Sequence, residues 1–115
     1  MGKRIVVVDD SAIMRKMVRK LLETTEHQIT GEAKSGIEAI EQYKTLAPDI
    51  VIMDVTMRDM NGFAAAREIL SLDPDARIIF FTNLDKDQYA AQATDLGALG
   101  FVNKHNLEEL LPLLL

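Results

Sequence analysis

The sequence predicts an α/β fold, an open and doubly wound parallel sheet of five strands with helices on both faces. Residues 5–8 and 50–53 are apolar, rich in β-branched side chains and without alternation, which is typical of strands buried on both faces of a parallel sheet. Strand-like and helix-like segments alternate five times along 115 residues. Because such crossovers must cover the sheet and the chain is too short for an eightfold barrel, we expect one open-sheet domain over residues 1–115.

The first strand is expected over residues 4–9, and a helix follows it. Ser11 is typical of a helix N-cap, and the helix extends to about residue 23. Apolar residues then recur at positions i, i+3, i+4 and i+7, which indicates one buried stripe. The stripe consists of Met14, Met17, Val18 and Leu21.

The second and third strands are expected over residues 28–33 and 49–54. Between them a helix begins at Gly36 and is interrupted at Pro48, because proline does not continue a helix. We expect this helix to face the core through Ile37, Ile40 and Tyr43.

The second half of the chain continues the alternation. A loop through Gly62 follows the third strand, and residues 73–75 (DPD) form a turn. Gly97 suits the position just after a helix that is rich in alanine and only weakly amphipathic. The remaining elements are helices over residues 63–72 and 86–96, strands over residues 77–82 and 99–102, and a last helix from about Asn106 with the stripe Leu107, Leu110, Leu111 and Leu114.

Composition excludes several classes of protein. The net charge of −5 argues against direct nucleic-acid binding, and the absence of cysteine excludes disulfides and thiolate metal sites. No apolar stretch approaches the roughly 20 residues needed to cross a bilayer, so we expect no membrane partner. The cytoplasm is the expected location.

Acidic residues end two of the buried runs. Asp9 and Asp10 follow the first strand, and Asp54 closes the third. Because the carboxyl ends of parallel strands meet at one crevice, three carboxylates converge there and repel each other unless a cation is present. Carboxylate oxygens are the ligands that Mg²⁺ prefers, so the pattern predicts a Mg²⁺ site.

Two further polar residues end the strands that should face the same crevice. Thr82 ends the fourth strand, and Lys104 follows the fifth. A hydroxyl and an ammonium group opposite carboxylates and a metal make a pocket for a dianion, most naturally a phosphoryl group.

These residues resemble a known family, the receiver domains of two-component response regulators, with the single-domain chemotaxis regulators as the nearest type. The resemblance covers essentially the whole chain and implies a flavodoxin-like strand order of 2-1-3-4-5. It is carried by the motifs VVDDS at residues 7–11, MDVTM at residues 53–57 and MNG at residues 60–62, together with Thr82 and Lys104.

The resemblance implies a role for each site residue. Asp54 would be the phosphoacceptor, while Asp9 and Asp10 would hold Mg²⁺ together with Asp54 and the backbone carbonyl of Thr56. Lys104 would form an ion pair with the phosphoryl group, and Thr82 would hydrogen-bond it. Phe101 falls at the position of an aromatic switch residue that turns inward as the threonine moves.

The resemblance also implies a function and partners. The chain would be a phosphorylation-dependent switch rather than a turnover enzyme, although it would assist its own phosphorylation and dephosphorylation. A sensor histidine kinase or phosphotransfer protein would supply the phosphoryl group. A downstream protein would bind the face formed by the fourth helix, the fifth strand and the fifth helix.

The chain departs from the family pattern at four positions. His105 replaces the proline that usually follows the lysine in a cis peptide, so we expect a trans Lys104–His105 bond and a reshaped loop. Arg58 replaces a proline in the loop beyond Asp54, and Asn83 replaces a small residue. Pro112 interrupts the last leucine stripe, which predicts an early helix end and a hydrophobic tail at residues 113–115. A truncated chain, a lost output domain and a homodimer contact each explain such a tail.

Three other functions were weighed. A degenerate receiver that acts as a constitutive interaction module is favoured by Arg58, His105 and Pro112 but opposed by the five pocket residues. A haloacid-dehalogenase-type phosphatase would carry Asp-x-Asp after the first strand, whereas Asp9 and Asp10 are adjacent here. A nucleotide- or flavin-binding fold would need a glycine-rich loop at that place.

Overall fold

The computed structural model describes residues 2–83 and 86–115, and of residues 86–88 it describes only the backbone. Its five strands form one parallel sheet in the order β2-β1-β3-β4-β5, which confirms the predicted fold class. β1 and β3 are neighbours, so the chain reverses direction across the sheet between them, and a crevice opens there beyond the strand ends. The strands are β1 Arg4–Val8, β2 Gln28–Ala33, β3 Ile50–Asp54, β4 Ile78–Thr82 and β5 Gly100–Asn103.

Helices follow the strands, and their starts are set by polar caps. Ser11, Ser35 and Asn61 each accept a hydrogen bond from the backbone N–H three residues further on, which satisfies one of the unpaired donors of the first turn. The N-cap predicted at Ser11 is therefore confirmed. The helices are α1 Ala12–Leu22, α2 Gly36–Leu46, α3 Gly62–Leu72, α4 Lys86–Asp95 and α5 Leu110–Leu113, with a 3-10 helix over Lys104–Glu109 before α5.

The sheet separates two apolar cores because alternate residues of each strand point to opposite faces. On one face, Val6, Val51 and Phe80 pack with residues of α2, α3 and α4. On the other face, Ile5 and Ile52 pack with residues of α1 and α5. None of the helices in the described part of the chain is long and apolar enough to span a membrane.

Two residues predicted to face the core are exposed instead. Met17 in α1 is 46% exposed and Ile37 in α2 is 57% exposed. Met17 lies roughly 100° around the helix from the buried Val18, and Leu22 takes the core position one turn further on. Ile37 likewise lies about 110° from the middle of the arc that buries Ile40 and its neighbours.

The C-terminal segment differs from the prediction. The last helical segment begins as a 3-10 helix at Lys104 rather than as an α-helix near Asn106. Asn106 has non-helical angles (φ −128°, ψ 52°), which place a kink in the 3-10 helix. Pro112 falls in the first turn of α5, where its missing N–H removes no helical hydrogen bond. The predicted hydrophobic tail is wrong for Leu114, which is fully buried, whereas Leu115 is 92% exposed.

Ala47 ends α2 in a left-handed conformation (φ 44°, ψ 59°), which is costly for a residue with a Cβ atom. The conformation is held from two sides. The Ala47 N–H donates to the carbonyl of Tyr43, and the guanidinium of Arg4 donates to the Ala47 carbonyl at 2.8 Å. The exposed Cβ of Ala47 therefore adds strain without burying apolar surface.

Ala47→Gly should raise the free energy of unfolding by about 0.5–1 kcal/mol, because glycine adopts the left-handed conformation without that strain. Urea denaturation measures the change. Ala91→Gly is the matched control, since Ala91 is an exposed residue inside α4, where glycine should cost about 0.5–1 kcal/mol. A loss of stability in Ala47→Gly as large as in the control would contradict this explanation.

Candidate functional site

The carboxyl ends of the strands open into one crevice of about 370 Å³. It contains every side chain that the sequence predicted for the site except Phe101. The lining residues are Asp9, Asp10, Ser11, Met14, Asp54, Thr56, Thr82, Asn83 and Lys104.

Three carboxylates meet in this crevice. Asp9, Asp10 and Asp54 each offer an oxygen, and these oxygens lie within 4.8 Å of one another. Asp9 and Asp54 are 0% and 2% exposed, whereas Asp10 faces solvent. This donor set fits Mg²⁺, which takes hard oxygen ligands from a few carboxylates and keeps several of its waters.

Lys104 lies between the two buried carboxylates. Its Nζ atom donates to Oδ2 of Asp9 at 2.7 Å and forms an ion pair with Oδ1 of Asp54 at 3.2 Å. The ammonium group also lies 5.0 Å from the centre of the Phe81 ring, a distance at which the ring face attracts a cation. Lys104 therefore reaches the pocket although no proline follows it.

The local backbone explains how Lys104 is placed. The described residues contain no cis peptide bond, which confirms the trans bond predicted between Lys104 and His105. Oδ1 of Asn103 accepts the His105 N–H at 2.8 Å and caps the 3-10 helix that begins at Lys104. This asparagine turn sets the direction of the chain after β5. The side chain of Asn103 was a signal that the sequence analysis missed.

Asp9 is fixed by donors on three of its oxygens. The Ser11 N–H donates to Oδ1 at 2.9 Å, Lys104 donates to Oδ2, and the guanidinium of Arg15 donates to the backbone carbonyl at 2.7 Å. Arg15 is held in turn by an ion pair with Glu32 of β2 at 3.1 Å. No local spacing in the sequence predicts that the side chain of Arg15 turns back from α1 towards the site.

The backbone behind Asp54 is closely packed against the loop that follows it. The Gly62 N–H donates to the carbonyl of Val55 at 2.7 Å, and a Cβ atom at position 62 would lie 2.1 Å from the Asp54 carbonyl oxygen. The carboxylate of Asp59 accepts the N–H groups of Gly36 and Ile37 at 3.1 and 3.0 Å. Burial raises the pKa of the Asp59 carboxyl, but the hydrogen bonds from backbone N–H groups outweigh this effect, so the pKa is lowered. The loop is thus fastened to both α2 and α3.

Thr82 lies at the carboxyl end of its strand, whereas Phe101 lies further back in β5, away from the crevice. Thr82 is buried, lines the crevice and stands opposite Asn103 in the β4–β5 register. Phe101 is half-buried, stands opposite Phe80 in the same register and packs against the core under α2, α3 and α4.

Burial raises the pKa of Asp54 from its ordinary 3.8 to about 7. The negative charge of Asp9 adds to this rise, whereas the positive charge of Lys104 opposes it. Below about pH 7, and without a bound cation, the Asp54 carboxyl therefore holds a proton.

Comparison with known proteins shows which family the chain belongs to. Residues 5–114 match the family model described as the response regulator receiver domain. The chain belongs to this family. Receiver domains are signalling switches of two-component systems rather than turnover enzymes, and they bind Mg²⁺ at an acidic cluster of the kind described above.

Relatives of this receiver domain span most of its length. The chemotaxis protein CheY of Thermotoga maritima is 43% identical over 104 residues, which cover 90% of this chain and 87% of the relative. A LuxR-family response regulator from Aurantimonas sp. SI85-9A1 superimposes with a TM-score of 0.91 at 36% identity, over 97% of this chain and 81% of that one. The CheX-CheY-BeF3-Mg²⁺ complex of Borrelia burgdorferi gives a TM-score of 0.90 at 29% identity, over 96% and 84%.

The raised pKa of Asp54 predicts how stability depends on pH in buffer free of divalent cations. Between about pH 4 and 7 the folded receiver holds a proton on Asp54 that the unfolded chain has lost, so this residue lowers the free energy of unfolding as pH rises. Asp54→Asn removes the titration. The stability advantage of this variant should grow by about 2 kcal/mol between pH 5 and 7 and then level off.

Chemical denaturation at several pH values measures this difference. Glu68→Gln removes an exposed acid on α3, outside the crevice, and is the matched control. An Asp54→Asn advantage that is constant from pH 5 to 8 would contradict the buried, proton-holding carboxylate.

Proposed function

We propose that this receiver domain accepts a phosphoryl group on Asp54 in a Mg²⁺-dependent reaction, and that the modified aspartate switches a protein-binding surface. The donor is a sensor histidine kinase or phosphotransfer protein, with small acyl phosphates as substitutes. One observation carries the proposal. The carboxylate of Asp54 closes the buried central strand, 3.2 Å from the ammonium group of Lys104 and beside two further acids.

The reaction balances as a simple displacement. A carboxylate oxygen of Asp54 forms a bond to phosphorus while the P–N bond of phosphohistidine, or the P–O bond of an acyl phosphate, breaks and leaves its electron pair on the departing group. The transition state of such transfers is loose, so a protein accelerates them mainly through position and charge neutralisation. Bound Mg²⁺ would supply positive charge to the oxygens of the transferred group.

The residues of the crevice divide these tasks. Asp9, Asp10, Asp54 and the backbone carbonyl of Thr56 would hold the cation. Asp54 is the acceptor among the three acids because Asp9 has donors on both carboxylate oxygens and Asp10 faces solvent. Lys104 neutralises charge from the opposite wall.

The switch follows from the change of charge. The phosphorylated Asp54 presents new oxygens to Lys104 and to the hydroxyl of Thr82, and each contact favours one arrangement of the β4 and β5 ends over the other. Phe101 lies in β5, three residues before Lys104, so its packing is the natural readout. The output surface is the face of α4, β5 and α5.

The alternative is a degenerate receiver that binds its partner without phosphorylation. Arg58, His105 and Pro112 favour it, since each replaces or disturbs a family feature. The contacts of Lys104 oppose it, because the lysine reaches both buried carboxylates without a following proline.

Incubation with Mg²⁺ and acetyl phosphate should add one phosphoryl group to the protein, which intact mass spectrometry detects. Asp54→Ala should abolish the addition, and Lys104→Ala should slow it by at least about tenfold, because its charge is lost from the transition state. Chelation of the metal should stop the reaction in every variant.

Asp49→Asn is the matched control, because Asp49 precedes the same strand at its opposite end and lines no part of the crevice. It should be modified at the wild-type rate. The constitutive module would be supported instead by two results together. The wild-type protein would not be modified by acetyl phosphate, and its amide NMR spectrum would not change with beryllofluoride and Mg²⁺.

A further inference from the structure

A second cavity adjoins the crevice. It has a volume of about 350 Å³, and Asp10 lines both spaces, so this carboxylate forms the wall between them. The cavity is lined by Asp10, Lys34, Ser35, Arg58 and Asp59. Its residues come from the loop after β1, the loop between β2 and α2, and the loop beyond Asp54.

Within the part of the chain that the structure describes, the two cations of this cavity pair with no acid. Lys34 and Arg58 are both exposed, and neither forms an ion pair or donates a side-chain hydrogen bond within the described residues. The basic residues on the other side of the site differ in this respect. Arg15 is held by Glu32 and the Asp9 carbonyl, and Lys104 is held by two carboxylates.

The acids of the cavity are occupied elsewhere. The carboxylate of Asp59 lines the cavity but accepts two N–H groups at the start of α2, and it forms no ion pair with either cation within the described residues. Asp10 belongs to the acidic cluster of the crevice. The loop that carries Arg58 is also fastened by Asp59 and Gly62, so its guanidinium is presented from an anchored backbone.

We propose that Lys34 and Arg58 form a second anion-binding subsite that takes a carboxylate of the phosphodonor. This inference rests on the proposed function, because the subsite acts while the phosphoryl group lies in the crevice. The receiver then selects donors that carry an acidic group besides the phosphoryl group. Arg58, which replaces the usual proline of the family, becomes a specificity-determining residue rather than a sign of degeneracy.

Charge supports a donor with a second anion over one without it. A second anion on the donor adds to the repulsion from the three carboxylates of the crevice, and the two cations offset that added repulsion at the place where the second anion binds. Guanidinium groups also bind carboxylates with two parallel hydrogen bonds, which an ammonium group does not form. A donor carboxylate held there keeps the phosphoryl group in the neighbouring crevice.

Two matched pairs of donors test the subsite. The first pair is benzoyl phosphate and 3-carboxybenzoyl phosphate, which differ only by a carboxylate. The second pair consists of phosphohistidine tripeptides with an acetylated N-terminus and an amidated C-terminus, in which the histidine stands between two alanines or between two aspartates. The rate of phosphorylation of the full chain at Asp54 is measured in Mg²⁺ buffer by mass spectrometry, with acetyl phosphate as the reference donor.

The wild-type protein should prefer the carboxylated member of at least one pair by about fivefold. The double variant Lys34→Gln, Arg58→Gln should lose that preference and keep the acetyl phosphate rate within about twofold. The double variant Lys44→Gln, Arg67→Gln removes the same charge from exposed sites on α2 and α3 and should keep the preference.

Each outcome decides the inference. A preference in the peptide pair identifies an acidic segment of a protein donor as the occupant, and a preference in the benzoyl pair alone identifies small carboxylated acyl phosphates. Equal rates within both pairs, with acetyl phosphate still reactive, overturn the subsite and leave the proposed function intact. If the preference for the carboxylated donor falls equally in both double variants, it depends on net charge alone, and this result overturns the subsite as well. Failure of acetyl phosphate itself overturns the proposed function.

Discussion

The ammonium group of Lys104 between two buried carboxylates is the interaction on which the site depends. The strand order places the ends of β1 and β3 side by side, so Asp9 and Asp54 are brought together whether or not a cation is present. Two buried charges of the same sign are costly unless they are paired. Lys104 directly follows β5, the strand at the edge of the sheet, and so links the end of that strand to the centre of the sheet.

The surrounding contacts keep this charge cluster in place. Arg15 and the Ser11 N–H fix Asp9, while the close approach of Gly62 fixes the backbone at Asp54. These contacts come from the starts of α1 and α3 and from the cap residue before α1, and none of them uses the carboxylate oxygen that would receive a phosphoryl group. Lys104 and Asp54 form the pair whose contact a phosphoryl group would change, while the surrounding contacts stay in place. This arrangement suits a switch, because a small change of charge then favours one of two discrete arrangements of the site.

The fold and the residues that line the crevice could be predicted from the sequence. The fold follows from periodicity, and the lining residues are those at the strand ends. Sequence analysis was wrong where the answer depended on the angle around a helix. Met17 and Ile37 satisfy an apolar pattern but lie outside the buried arc. The sequence pattern predicts that Pro112 ends the last helix and leaves Leu114 in a free tail. Pro112 instead lies in the first turn of a short helix, and Leu114 is buried.

The contacts that hold the loops could not be derived from the sequence. They join residues distant along the chain, such as Asp59 with Gly36 and Arg15 with the Asp9 carbonyl, and no local spacing marks them. The position of Lys104 was the most consequential case, because His105 in place of the usual proline predicted a reshaped loop and left the reach of Lys104 open. The turn formed by Asn103 compensates for that loss.

A double-mutant cycle between Asp54 and Lys104 tests the central claim most directly. The free energy of unfolding is measured for the wild type, Asp54→Asn, Lys104→Met and the double variant at pH 8 without divalent cations. The pairing predicts a favourable interaction free energy of about 1–3 kcal/mol between the two side chains. An interaction free energy of zero would show that Lys104 does not pair with Asp54 and would contradict the account.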